Sequence, residues 1–255
     1  MKTSGDNAVN RAGLFRTTRW SLILGSIDIQ TPGSKTALTD LCNLYWYPLY
    51  VFARRTGFDA PDAEDLTQSF FLYLLEKKSL GRVTPDKGRF RSFLLASFKN
   101  HISNAWRRDQ AAKRGGHCQV VSMDLEKGEI EYTRVPVDDL TAEKIYDARW
   151  AITLLDRAKN RLFEEYVGNN KRRIFERLKS FLASTDIKEA DSYPMIGQEL
   201  GLTVAGVKTL VFRLRRRFAA LLREEVAHTV ADPSEIDSEL HALCEALITA
   251  EGRLE

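Results

Sequence analysis

A chain of 255 residues with 44% hydrophobic and 29% charged side chains has an ordinary globular composition, which excludes wholesale disorder and leaves room for one large domain or two small ones. The net charge of +3 is too small to point to a partner, so the distribution of charge along the chain carries the information. Cys42, Cys118 and Cys244 are odd in number and far apart, without Cys-x-x-Cys spacing, which argues for reduced thiols and against a disulfide framework or a zinc knuckle.

No sufficiently long apolar run follows Arg11, Arg16 and Arg19, and apolar clusters elsewhere are broken by charge within a few residues. A cytoplasmic protein with no membrane insertion is expected. After Gly33-Ser34, the positions Leu38, Leu41, Leu44, Tyr45, Leu49, Phe52 and Ala53 recur at three to four residues and predict a helix. Pro48 lies inside it and predicts a local bend. Gly57 and Asp59-Ala60-Pro61 mark a turn. The acids Asp62, Glu64 and Asp65 then sit in the first turn of a second helix, where they meet the positive end of its dipole. Leu66, Phe70 and Leu74 share one face of that helix, which runs to about Lys78, while Asp65, Gln68 and Leu72 face elsewhere. The i, i+3 pair Asp65 and Gln68 suits a hydrogen-bonding protein interface.

Ser79 to Gly88 is irregular, with Gly81, Pro85 and Gly88. The helical period resumes at Phe90, Phe93, Leu94, Phe98, Ile102 and Trp106, with Arg91, Lys99, Asn100, Asn104, Arg107 and Arg108 on the polar side. Core packing is expected for most of these aromatics, leaving one or two as stacking platforms for an unpaired base. Between Gly81 and Gly116 nine cations stand against two acids, an excess that attracts a polyanion. Residues 117–147 reverse the sign and read as an acidic linker that ends where Thr141 caps a new helix.

The second block opens with Leu154, Leu155, Ala158, Leu162 and Phe163, followed by Ile174, Leu178 and Phe181. Ser192 to Leu200 predicts a short helix, Gly201 a left-handed turn, and Thr203 the cap of a further helix. That last helix buries Val207, Leu210, Leu214, Phe218 and Leu221 and leaves Val204, Lys208, Thr209, Arg213 and Arg216 outward, as a helix entering the major groove requires. From Thr203 to Arg223 there are six cations and no acid. The tail after Arg223 is acidic and closes on a final amphipathic helix at Leu240, Leu243, Leu247 and Ile248, covering the second block or docking on a partner.

The expected architecture is all-α, with two helical domains joined by an acidic linker and a helix-turn-helix in the second: residues 1–116, 117–147 and 148–255. No Gly-rich phosphate loop, His-Glu-x-x-His or Gly-x-Ser-x-Gly pattern occurs, and the four histidines lack ligand spacing, so no enzymatic activity, metal or cofactor is expected.

Several motifs together resemble the sigma-70 family of RNA polymerase sigma factors, of the extracytoplasmic-function type, and within it the long form frequent in planctomycetes and verrucomicrobia. They include Tyr45-Trp46-Tyr47-Pro48-Leu49-Tyr50, Asp62-Ala63-Glu64-Asp65-Leu66-Thr67-Gln68, Gly88-Arg89-Phe90-Arg91-Ser92-Phe93 and Arg213-Leu214-Arg215-Arg216-Arg217-Phe218. The resemblance implies a subunit that binds core RNA polymerase and recognises promoter DNA, with an anti-sigma protein as a possible further partner. It assigns Asp65, Gln68 and Phe71 to the polymerase contact. Residues 78–88 match the loop that captures a flipped base. Lys87, Arg89, Lys99, Asn100, Asn104, Arg107 and Arg108 fall to the minus-ten element. Thr203, Val204, Lys208, Thr209, Arg213 and Arg216 fall to the minus-thirty-five element. Gly197 departs from the family's alanine, and Met195 from a polar residue. The rival readings are a helix-turn-helix regulator acting without polymerase, an adaptor with solvated basic faces, and an RNA-binding module.

Overall fold

The computed structural model describes residues 32–76, 89–111, 140–182, 192–230 and 232–250. All the described elements are helical, as expected of an all-α chain. Their contacts divide the chain into two units, residues 1–152 together with 227–255, and residues 153–226.

In the first unit, α1 (Pro32–Arg55) runs through Pro48 without interruption. Leu49, Tyr50, Val51, Phe52 and Ala53 are all buried in succession, so this stretch is apolar on every side. Burying several large side chains at about 2 kcal/mol each outweighs the roughly 3 kcal/mol cost of an interior proline. The helix closes on Gly57 at φ +103°, with Phe58 N–H donating to Ala53 O and Gly57 N–H to Arg54 O. This paired closure satisfies carbonyls that the helix end would otherwise leave open.

Asp59 caps α2 (Ala60–Glu76), its Oδ1 accepting from Asp62 N–H at 2.9 Å. α3 (Phe90–Ala111) packs by ring contacts, with Phe98 against Phe52 and Phe70, and Phe90 edge-on to Tyr45. His101 is buried, within 2.9 Å of Ser69 Oγ.

Thr141 Oγ1 accepts from Lys144 N–H and caps α4 (Ala142–Gly168). The segment expected to end the linker therefore already belongs to a helix, and its first turns join the first unit: Tyr146 is buried and its hydroxyl donates to Arg91 O at 3.1 Å. α8 (Ile236–Ala250), entered through a 3-10 turn at Pro233–Glu235, also groups with the first unit. This differs from the sequence grouping of the acidic tail with the second block. The physical reason is charge, because Glu239 of α8 pairs with Arg91 of α3.

In the second unit, the last turns of α4, α5 (Arg172–Leu178), a 3-10 turn at Lys179–Leu182, α6 (Ser192–Leu200) and α7 (Val204–Ala227) enclose one core. Ala158, Leu162, Phe175, Leu178, Phe181, Ile196, Val207, Val211, Leu214 and Leu221 are its buried members. Between α6 and α7, Gly201 adopts φ +67° and Leu202 N–H donates to Gly197 O at 2.7 Å. Thr203 Oγ1 then accepts from Gly206 N–H at 3.1 Å and starts α7.

Gly197 has a steric role in this turn. A Cβ built there would lie 2.6 Å from the Leu202 carbonyl oxygen, inside contact distance with backbone. Gly197→Ala is expected to lower stability by about 1–3 kcal/mol, despite the gain of up to about 1 kcal/mol in helix propensity. Urea unfolding of the two proteins checks the sign.

Candidate nucleic-acid interface

Three helical surfaces hold the nominated residues. On α2, Asp65 is exposed and Gln68 is half-buried, with Nε2 donating to Glu64 Oε1 at 2.8 Å. Glu64 is buried, and burial, with the neighbouring Asp65 charge, pushes its carboxyl above the usual range. Phe71 is 7% exposed and packs on Phe70. Its ring is therefore packed in the core and offers little surface to a partner. Leu72 instead extends the outward side of α2, seven residues after Asp65, a spacing that returns to the same face after two turns. The sequence pattern placed Leu72 on that side without nominating it.

On α3, Asn100, Asn104 and Arg107 are exposed together with Ser103. Their spacing of three, four and seven residues makes one continuous polar face. Trp106 stands beside it, 58% exposed and edge-on to Phe58 at 6.2 Å; Phe93 is half-buried, and Phe90 and Phe98 are inside the core. Lys87 lies outside the described residues, as does the side chain of Arg108.

The remaining two nominated cations, Lys99 of α3 and Arg89 just before it, are engaged within the chain. Lys99 Nζ donates to Glu143 Oε1 at 2.6 Å and lies over the Phe52 ring. That hydrogen bond, with a backbone donor behind it, holds the Glu143 carboxyl below its usual range. Arg89 Nη2 donates to Ser238 Oγ at 3.0 Å and, at 3.3 Å, to the Ser238 carbonyl. Its Nε lies 2.9 Å from Glu239 Oε2, an ion-pair contact without hydrogen-bond alignment. Between them Arg91 is buried, donating to Glu239 Oε1 at 2.8 Å and to Asp147 Oδ1, with its guanidinium 4.6 Å from the centre of the Trp150 ring.

On α7, Thr203, Val204, Lys208, Thr209, Arg213 and Arg216 are all exposed. Thr203 and Thr209 use their hydroxyls locally, the first as the cap and the second donating to Ala205 O at 2.9 Å. Phe212 is 64% exposed and falls in the row Val204, Lys208, Phe212, Arg216, four residues apart. Sequence reasoning passed over it, although an apolar residue out of step with Leu210 and Leu214 was the available signal. Lys208 Nζ also lies 5.8 Å from the centre of the Tyr193 ring, and two further cations of the helix are used inside the unit. Arg217 makes a two-pronged contact with Glu165 at 2.9 and 2.5 Å, which holds the Glu165 carboxyl low, and Arg215 Nε donates to Phe181 O at 2.7 Å.

The described residues contain no group of three His, Cys, Asp or Glu side chains arranged to hold a metal ion, and no described helix is long and apolar enough to cross a membrane. The arrangement can do what exposed amides, guanidiniums and an indole do together, which is to grip phosphates and meet base edges or faces.

Residues 47–112 match a family model described as sigma-70 region 2. This stretch takes in the last nine residues of α1 and all of α2 and α3. The match covers about a quarter of the 255 residues and makes that stretch similar to sigma-70 region 2. No curated protein and no solved structure matches the chain significantly.

Arg91 and Glu239 provide a test of the geometry. Both are buried, and removing one partner of such a pair typically costs about 3–5 kcal/mol. Arg91→Ala is expected to fall in that range, and Arg91→Met with Glu239→Leu to recover most of the loss, as read by thermal or denaturant unfolding.

Proposed function

We propose that this chain is a promoter-selecting sigma subunit of the extracytoplasmic-function type, in the long form suggested by its sequence. The outward side of α2, with Asp65, Gln68 and Leu72, docks on core RNA polymerase. The α3 face of Asn100, Asn104 and Arg107 meets the minus-ten element, and Trp106 stacks at its edge. α6 and α7 act as a helix-turn-helix, with α7 reading the minus-thirty-five element through Lys208, Thr209, Phe212, Arg213 and Arg216. The observation that carries the reading is that the region 2 match falls on the helices that expose the Asn100, Asn104 and Arg107 face. A second exposed cationic row on α7 supports it.

The division of labour follows from the chemistry of the two faces. Cations and amides on α3 hold the backbone, and the capture of unstacked bases offsets the opening of the duplex, a few kcal/mol per flipped base. No nucleotide hydrolysis by this chain is required. On α7, Lys208, Arg213 and Arg216 supply phosphate contacts, while the Phe212 ring suits a thymine methyl in the major groove. Polymerase supplies the nucleotidyl-transfer chemistry and holds the two DNA-binding faces at promoter spacing.

Reconstitution with core polymerase on a promoter library, followed by transcript mapping, tests this reading. Asp65→Ala with Gln68→Ala should abolish specific initiation while circular dichroism stays unchanged. Lys208→Ala should weaken binding across sequences and reduce the salt slope by about 0.9 for each lost phosphate contact. Phe212→Ala should cost about 1 kcal/mol at thymine-bearing positions alone. Failure of the wild-type chain to associate with polymerase, or tight specific binding to duplex DNA without it, would overturn the proposal.

A further inference from the structure

The contacts of Arg89 and Lys99 lead beyond promoter binding. These two cations, on α3 and at its entrance and assigned above to DNA, are already occupied by an acidic edge built from two segments distant in sequence. Glu143 of α4 holds Lys99 at 2.6 Å, and Ser238 and Glu239 of α8 hold Arg89 at 3.0 and 2.9 Å. All of these residues belong to the same unit.

We propose that this edge is a resident occupant of the DNA-facing cations, so that promoter DNA binds by displacing Glu143 and Ser238-Glu239 from Lys99 and Arg89. The inference rests on the reading that those cations face DNA. Glu239 divides its work between two oxygens. Oε1 is committed to buried Arg91, whereas Oε2 faces Arg89, whose side chain is 39% exposed. The buried pair anchors α8 in place, and the outer contacts exchange without detaching the helix. Lys99 and Glu143 are each nearly half exposed, and exposed pairs of this kind are weak enough for a phosphate to replace. The edge therefore works as a graded competitor. It weakens contact with scattered polyanions and yields where polymerase and a matched promoter supply the remaining interactions.

A double-mutant cycle on the full-length chain tests this. The probe is a fluorescent forked duplex bearing a minus-ten-type single-stranded overhang, read by anisotropy without polymerase. Glu143→Gln should raise affinity about three- to fivefold, the range an exposed pair allows, and Ser238→Ala should raise it further. Both leave the Arg91 anchor intact. Glu245→Gln, on the outer side of α8 beside His241, removes the same charge and should change affinity less than twofold, about the background of a screened surface charge. In a Lys99→Gln background the gain from Glu143→Gln should vanish. A gain no larger than that of Glu245→Gln overturns the proposal, as does a gain that persists without Lys99. Because the probe needs no polymerase, these outcomes are distinct from a failure of the chain to associate with polymerase.

Discussion

Arg91 is the point at which the first unit is tied together. A guanidinium withdrawn from water is tolerable only if its charge and donors are met, and here Glu239, Asp147 and the face of Trp150 meet them. The three partners come from α8 and from the first turns of α4, so one α3 side chain gathers segments separated by 56 and 148 residues. Tyr146 adds a buried hydrogen bond to the Arg91 carbonyl. Glu239 would be a costly buried acid without this partner, its side chain being 3% exposed. The acidic tail thus follows the location of a buried cation, and the neighbouring Ser238 and Glu143 reach Arg89 and Lys99 as a consequence.

That organisation changes what the charge pattern means. Counting lysines and arginines along the chain treats each as available to a polyanion, whereas the folded chain sorts them into separate populations. Arg91 is buried, Arg217 is clamped by Glu165, and Arg215 is turned onto the Phe181 carbonyl. Lys99 carries an exposed carboxylate partner, and Arg89 an exposed hydroxyl beside the buried Glu239 carboxylate. Lys208, Arg213 and Arg216 project outward on α7 and Arg107 on α3. The electrostatic attraction of each face is set by this last group, together with whatever part of the second can be exchanged.

Local chemistry was legible in the sequence wherever one residue type had one physical use. The three- to four-residue period located the helices, and Thr141, Thr203 and Gly201 marked positions that do serve as caps or a turn. The same period put Lys208, Arg213 and Arg216 on the outside of α7. What escaped were effects of tertiary partners. Pro48 was expected to bend α1, yet the helix continues because burial of residues 49–53 dominates. Phe71 matched a family contact but turned inward beside Phe70, since a pattern match names a position and not the direction of its side chain. The attachment of α8 depended on Glu239 meeting Arg91 across a long sequence separation, and no periodicity encodes such a pairing.

The distinction between anchor and edge follows from dielectric environment rather than from residue type. Glu239 and Glu143 are both glutamates facing basic side chains of α3, but water screens one pair and is excluded from the other. Attraction between unit charges grows as the effective dielectric falls, and so does the penalty for leaving either charge alone. A buried pair consequently behaves as a fixed joint, and an exposed pair as an exchangeable one. Placing both on α3, at Arg91 and Lys99 about two turns apart, lets one helix hold its neighbours firmly while leaving its outer charges open to substitution by another anion.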